Sequence, residues 1–142
     1  ENAAAIIAGI SVGTLVSLGS ALALAVAMDL TREQYVTLLP KSVTTAISMD
    51  VAAELGGIAA LTGAIVILTG IAGNLLAETV CKVFHITDPI AKGVGIGTSA
   101  HAVGTSKALQ MGEVEGAMSG LSIAVAGVLT AVLCPVFVNF IG

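Results

Sequence analysis

The sequence predicts an all-α, polytopic membrane protein with three full transmembrane helices and two interrupted ones, broken or re-entrant. Three observations carry that expectation. First, Ala3 to Met28, Leu55 to Ala77 and Gly116 to Gly142 hold no charged residue over 26, 23 and 27 positions, and a helical bilayer crossing needs about 20 apolar residues. Second, only 10% of the chain is charged, 56% is apolar, and the mean hydropathy is +1.06. A soluble domain carries roughly 25% charged residues, so water would not tolerate this surface. Third, two polar, small-residue segments sit between the apolar runs: Pro40-Lys41-Ser42-Val43-Thr44-Thr45-Ala46-Ile47-Ser48, and Gly95 to Lys107.

In chain order, Ala3–Met28 forms the first span, with Gly9, Gly13, Ser17 and Ser20 as a small-residue stripe for close helix packing. Asp29 to Glu33 makes a charged turn. Gln34 to Met49 is too short for an ordinary crossing, and Pro40 interrupts it by removing an amide donor and disfavouring helix in the residue before it. Asp50 to Glu54 reads as a polar break before the second span, Leu55–Ala77. Glu78 to Lys92 reads as the longest polar connection. Gly93–Ser106 is again short and rich in glycine, and Lys107 to Glu115 leads into the last span.

The whole of 1–142 reads as one membrane domain with a weak internal echo. At an offset of 60, Val43 falls on Val103, Thr45 on Thr105, Gly56 on Gly116 and Leu61 on Leu121. Each copy orders a polar segment, an acidic turn, a glycine and a long apolar helix. Paired interrupted segments in corresponding halves are a pointer to a transporter site near the bilayer midplane.

Polar groups between apolar runs must face protein or a water-filled cavity. A broken helix adds free amide donors and the positive end of its dipole, which suits an anion. The candidate ligands are Lys41, Ser42, Thr44 and Thr45 from the first segment and Ser99, His101, Thr105 and Ser106 from the second. His101 titrates near neutral pH and is the candidate for proton coupling. Taken singly, each hydroxyl is better explained by a bond to its own preceding helical turn or a helix cap, and it is the pair of clusters together that points to function. Lys107, beside a polar turn, reads as a snorkelling side chain.

Other chemistries fit less well. Gly95-Ile96-Gly97-Thr98-Ser99-Ala100 matches a relaxed dinucleotide pattern but follows no strand signal. Ser99, His101 and Asp88 do not make a triad, since residues two apart on a helix diverge and no GxSxG elbow is present. Cys81 and His85 lack a second pair to complete a metal site, and Cys81 and Cys134 suggest no disulfide framework. An enzyme is therefore not expected, nor a cofactor or metal. The net charge of −4 is scattered and offers no nucleic-acid patch.

Leu39-Pro40-Lys41-Ser42-Val43-Thr44-Thr45 and Gly97 to Leu109 resemble the two signature stretches of the LrgB/CidB family of bacterial inner-membrane proteins. Asp88-Pro89-Ile90-Ala91-Lys92-Gly93 resembles that family's Asp-Pro lead-in. Glu113-Val114-Glu115-Gly116-Ala117-Met118-Ser119 resembles its Glu-Gly-Ala-Phe-Ser, with Met118 in place of the usual Phe. The resemblance covers essentially the whole chain, and further N-terminal helices are usual in the family, so a C-terminal piece of a longer protein is expected. It implies two functions of different class. One is a holin-antiholin-like modulator of murein hydrolase activity and lysis, acting with an LrgA/CidA-type membrane partner. The other, seen in related proteins, is transport of small carboxylates such as pyruvate, glycolate or glycerate.

The residues favour transport, because a self-packing holin-like oligomer has no need of two interrupted hydroxyl-rich segments with Lys and His between apolar runs. The expected partners are the lipid bilayer of the bacterial inner membrane and a small carboxylate, with a homo-oligomer and an LrgA/CidA-type partner left open. Should both interrupted segments cross, Arg32, Lys82 and Lys92 share one face against Lys107 on the other. The positive-inside rule then makes the first face cytoplasmic.

Overall fold

The computed structural model describes residues 3–141 and is helical, with no strand among them. The helices are α1 (Ala3–Ala27), α2 (Arg32–Leu38), α3 (Thr45–Glu54), α4 (Ala59–Val83), α5 (Pro89–Met111) and α6 (Glu113–Phe137), the last followed by a 3-10 turn at Val138–Phe140. Among the described residues, three stretches are long and apolar enough to cross a membrane: Ala3–Ala27, Ala59–Val83 and Glu113–Phe140. A 25-residue helix is about 37 Å long at 1.5 Å per residue, more than the roughly 30 Å hydrocarbon core.

The long helices fix two ends of the bundle. At the distal end, where α1 finishes, Leu18, Ala21 and Ala25 bury against Tyr35, Leu39, Val51 and Cys134, and the Tyr35 hydroxyl donates to the Phe137 carbonyl at 3.0 Å. So α6 also finishes there. α4 starts there, because the Ile58 amide and the Thr62 hydroxyl donate to the Thr37 hydroxyl and carbonyl, each at 2.9 Å. It runs the other way, to the proximal end, where α5 and α6 begin.

α2 starts at the distal end behind a capping box, in which the Gln34 amide donates to the Thr31 hydroxyl and the Thr31 amide to the Gln34 side chain. Leu39 keeps helical torsions and its amide still donates to the Tyr35 carbonyl at 2.9 Å, so the helical ladder ends at Pro40, which has no amide to extend it. Residues 40–44 carry no helix, and the Ser48 hydroxyl donates to the Pro40 carbonyl at 2.7 Å and the Val43 carbonyl at 3.3 Å. Those bonds satisfy acceptors that the lost helical ladder leaves open. α3 then returns to the end it came from: a Cβ on Gly57 would lie 3.0 Å from the Thr37 amide nitrogen. Residues 32–58 are thus a helical hairpin.

α5 reverses as well, but at one residue. His101 has φ 41° and ψ −140°, and the two legs, 89–100 and 102–111, lie back to back. A Cβ on Gly104 would lie 3.0 Å from Ile96 Cγ2, although eight residues of straight helix span about 12 Å. The contacts with α6 give the directions. Gly93 rests on Glu115 and Met118 and Gly97 on Ser119 and Ser122, whereas Thr105 meets Ser119 and Leu109 meets Gly116. The first leg runs with α6 and the second against it, back to the proximal end.

Several sequence boundaries are corrected. Asp50 to Glu54 belongs to α3, and the break falls at 55–58; the polar connection shrinks from Glu78–Lys92 to 84–88 because α4 continues to Val83. Charged residues at a helix terminus in water do not stop the helix; they decorate it. The topology argument also changes, since the turns at 28–31 and 84–88 stand at opposite ends. Lys82, Lys92 and Lys107 are at the proximal end and Arg32 is at the distal one.

Candidate functional site

The turn of the first hairpin, α1, α4 and the first leg of α5 converge on a cavity of about 270 Å³, lined by Ser17, Ser20, Lys41, Ser42, Thr69, Thr98 and Ser99, with Gly13 and Val16. Drug-sized ligands occupy roughly 300–1,000 Å³, so this one suits a smaller molecule. Gly13 lets α5 close on α1: a Cβ there would lie 2.7 Å from the Thr98 hydroxyl.

Lys41 is the charged group. Its ammonium donates to the Ser17 carbonyl and hydroxyl, each at 3.4 Å, and to the Ser42 hydroxyl at 3.3 Å. All three are neutral oxygens at long range. Glu33, Asp50 and Glu54, carboxylates near it in sequence, are all exposed on α2 and α3, and among the described residues no carboxylate pairs with Lys41. A half-buried cation with only neutral partners attracts an anion. The Thr69 hydroxyl has no hydrogen-bond partner among the described residues and is free to add a donor. Thr98 and Ser99 donate to Val94 and Gly95 carbonyls at 2.9 and 2.7 Å, so they offer shape and lone pairs first.

Of the eight residues singled out from the sequence, Lys41, Ser42 and Ser99 line this cavity. The other five lie elsewhere. Thr44 caps α3 in an extended conformation without a side-chain bond, and Thr45 opens that helix with its methyl towards Gly63. His101, expected to face the anion, is 2% exposed and sets Nε2 2.8 Å from the Val66 carbonyl on α4. Facing a carbonyl, Nε2 carries the proton and donates. Gly70 makes that possible, as a Cβ there would lie 2.6 Å from the ring. Thr105 donates to the His101 carbonyl at 3.0 Å and shares a 2.7 Å bond with Ser119; Ser106 donates to Val103 at 2.7 Å and accepts from Asn74 at 3.0 Å. These groups pin the second hairpin.

Asn74 also donates to the Val103 carbonyl at 2.8 Å, and Glu78 pairs with Lys107 at 2.6 Å and Lys82 at 3.6 Å. Val66, Gly70, Asn74 and Glu78 are spaced by four and share one face of α4, so the hairpin is held along a single ladder. Lys107 is therefore ion-paired and not simply snorkelling. Sequence reading missed Ser17, Ser20 and Thr69 as cavity residues. Ser17 and Ser20 were visible only as packing residues, and a lone Thr69 in an apolar helix gives no signal.

An all-helical bundle with three membrane-length apolar helices and a polar cavity between them is a multi-pass membrane protein. The LrgB-like family profile matches residues 1–140, nearly the whole chain, and the protein belongs to that family. No solved structure matches it.

Proposed function

We propose that this protein carries small organic anions of the pyruvate or glycolate kind across a bacterial inner membrane, binding them at Lys41. In this reading the two hairpins are half-crossing elements that enter the bilayer from opposite faces, related as inverted repeats, with Lys41 and His101 at their tips. Irregular backbone at membrane depth is tolerated where protein or a cavity surrounds it, and inverted hairpins meeting at a midplane site are a transporter arrangement.

The observation that carries the proposal is Lys41. A cation inside an apolar protein is expensive unless paired, and here its partners are neutral. A monocarboxylate would complete it, with the ammonium and the Thr69 and Ser17 hydroxyls as donors. The cavity holds no arrangement of nucleophile and base, so binding and release are the chemistry it offers. His101 acts in this scheme as the anchor of the second tip on α4.

Uptake of labelled pyruvate or glycolate into proteoliposomes tests the proposal. Saturable uptake, competed by unlabelled monocarboxylate, is the expected result. A lysis modulator of the holin-antiholin kind would instead give no uptake or an unsaturable leak of unrelated solutes, and that outcome would overturn the transport reading.

A further inference from the structure

We infer that small anions reach Lys41 from the proximal end alone, along a groove beside the first leg of α5, with Lys92 as the cation at its entrance. The inference rests on the proposed transport reading and adds the route and the side.

Three cavities form the route. One of about 430 Å³ at the proximal end is lined by Lys82, His85 and Lys92 together with the carboxylates Glu78 and Glu115, and Lys82 is paired with Glu78, which leaves Lys92 as its uncommitted cation. A second, of about 350 Å³ between α4 and the first leg of α5, shares Cys81, Ile86 and Lys92 with it, is walled on the α4 side by Leu76, Ala77 and Val80, and continues past Gly95 to Ser99. Ser99 also lines the Lys41 cavity. The floor of the groove steps along exposed Ala91, Gly95 and Ser99, one helical turn apart. Lys92 lines both outer cavities and is in no ion pair among the described residues. The distal side differs: Leu18, Tyr35, Leu39 and Val51 close over the site as a buried apolar cluster, each no more than 9% exposed. A cation in a narrow groove concentrates anions, an effect that salt screens.

Gly95 gives the test, because a Cβ there meets nothing within 4 Å and Gly95→Cys fits without repacking. In protein reconstituted after Cys81→Ser and Cys134→Ser, G95C should react with a membrane-impermeant sulfonate thiol reagent applied from the side that labels Thr87→Cys. It should not react from the side that labels Ala53→Cys. Adding Lys92→Gln should slow the sulfonate reagent several-fold at low salt relative to a neutral one. Pyruvate at saturating concentration should protect G95C. Failure of G95C to react while T87C reacts, or reaction from the A53C side, overturns the route; an unchanged sulfonate-to-neutral ratio in K92Q overturns the role of Lys92. If wild-type protein takes up no carboxylate while G95C still reacts from the T87C side only, the groove stands and the transport reading falls.

Discussion

The two hairpins reverse the chain by different means, and the difference separates binding from positioning. The first turns through the non-helical residues 40–44, with Pro40 enforcing the break and Lys41 left half-buried in a cavity. Its legs are fixed by apolar contacts around Tyr35 and Leu39, and its polar atoms satisfy one another through Ser48. The second turns at His101, whose φ of 41° lies in a region that side chains rarely adopt. Its hydroxyls, its imidazole and Lys107 are all committed to α4, α6 or its own backbone. A loose, proline-set turn leaves side chains available to a ligand; a tight, strained turn needs its side chains to hold itself in place.

That contrast can be broken first at Lys41. Lys41→Met keeps the apolar stem and removes the charge, so the protein should insert and fold normally while carboxylate uptake drops roughly ten- to hundred-fold, the worth of one charge-assisted hydrogen bond. Normal uptake would make the charge dispensable, and a protein lost from the membrane would make it structural; either way Lys41 would not be the ligand. Lys41→Arg should retain more uptake than Lys41→Met.

The second hairpin should respond in stability before chemistry. His101→Ala loses the bond to Val66 yet keeps the unfavourable backbone, whereas His101→Gly relieves it. Thermal unfolding in detergent should therefore rank wild type above Gly above Ala, with Gly and Ala separated by about 1 kcal/mol. Gly70→Ala should destabilise through its collision with the His101 ring and the Val103 Cβ, by about 1–3 kcal/mol, and His101→Gly in the same chain should remove only the part due to the ring. If Ala and Gly at position 101 behave alike, His101 is not strained in the folded protein.

The smallest effect belongs to the ion pair at the proximal end. Glu78→Lys and Lys107→Glu should each lower the melting temperature slightly, and the double exchange should recover it, because half-exposed pairs contribute little and are screened by salt. A large loss in either single variant would mean that the pair, and not the Asn74 and His101 contacts above it, is what holds the hairpin.

Much of this was legible in the sequence. Uncharged runs of membrane length located α1, α4 and α6 to within a few residues, and Pro40 marked the first reversal. The second reversal was placed within Gly93–Ser106 by its glycines, but nothing local names His101 as the turning residue, since that depends on Gly70 from another helix. The site was half legible for the same reason. Lys41 and Ser42 stand out because charge and hydroxyl are costly in apolar surroundings, whereas Thr69 enters only because α4 packs beside the first hairpin. Thr105 and Ser106 look like ligands in sequence, and only the contacts with Ser119 and Asn74 show them engaged.

The central claim is that both hairpins leave the membrane on the side they enter, one on each face. Single cysteines at Ala53, Thr87 and Val114, in protein lacking Cys81 and Cys134, test it with an impermeant thiol reagent on intact cells and on inverted vesicles. Thr87→Cys and Val114→Cys flank the second hairpin and should label from the same side. Ala53→Cys, at the close of the first, should label from the other. With Lys82, Lys92 and Lys107 at the proximal end against Arg32 at the distal one, the positive-inside rule places Thr87 and Val114 in the cytoplasm. Labelling of Thr87 and Val114 from opposite sides would mean that α5 crosses the membrane, and the paired-hairpin account would be wrong.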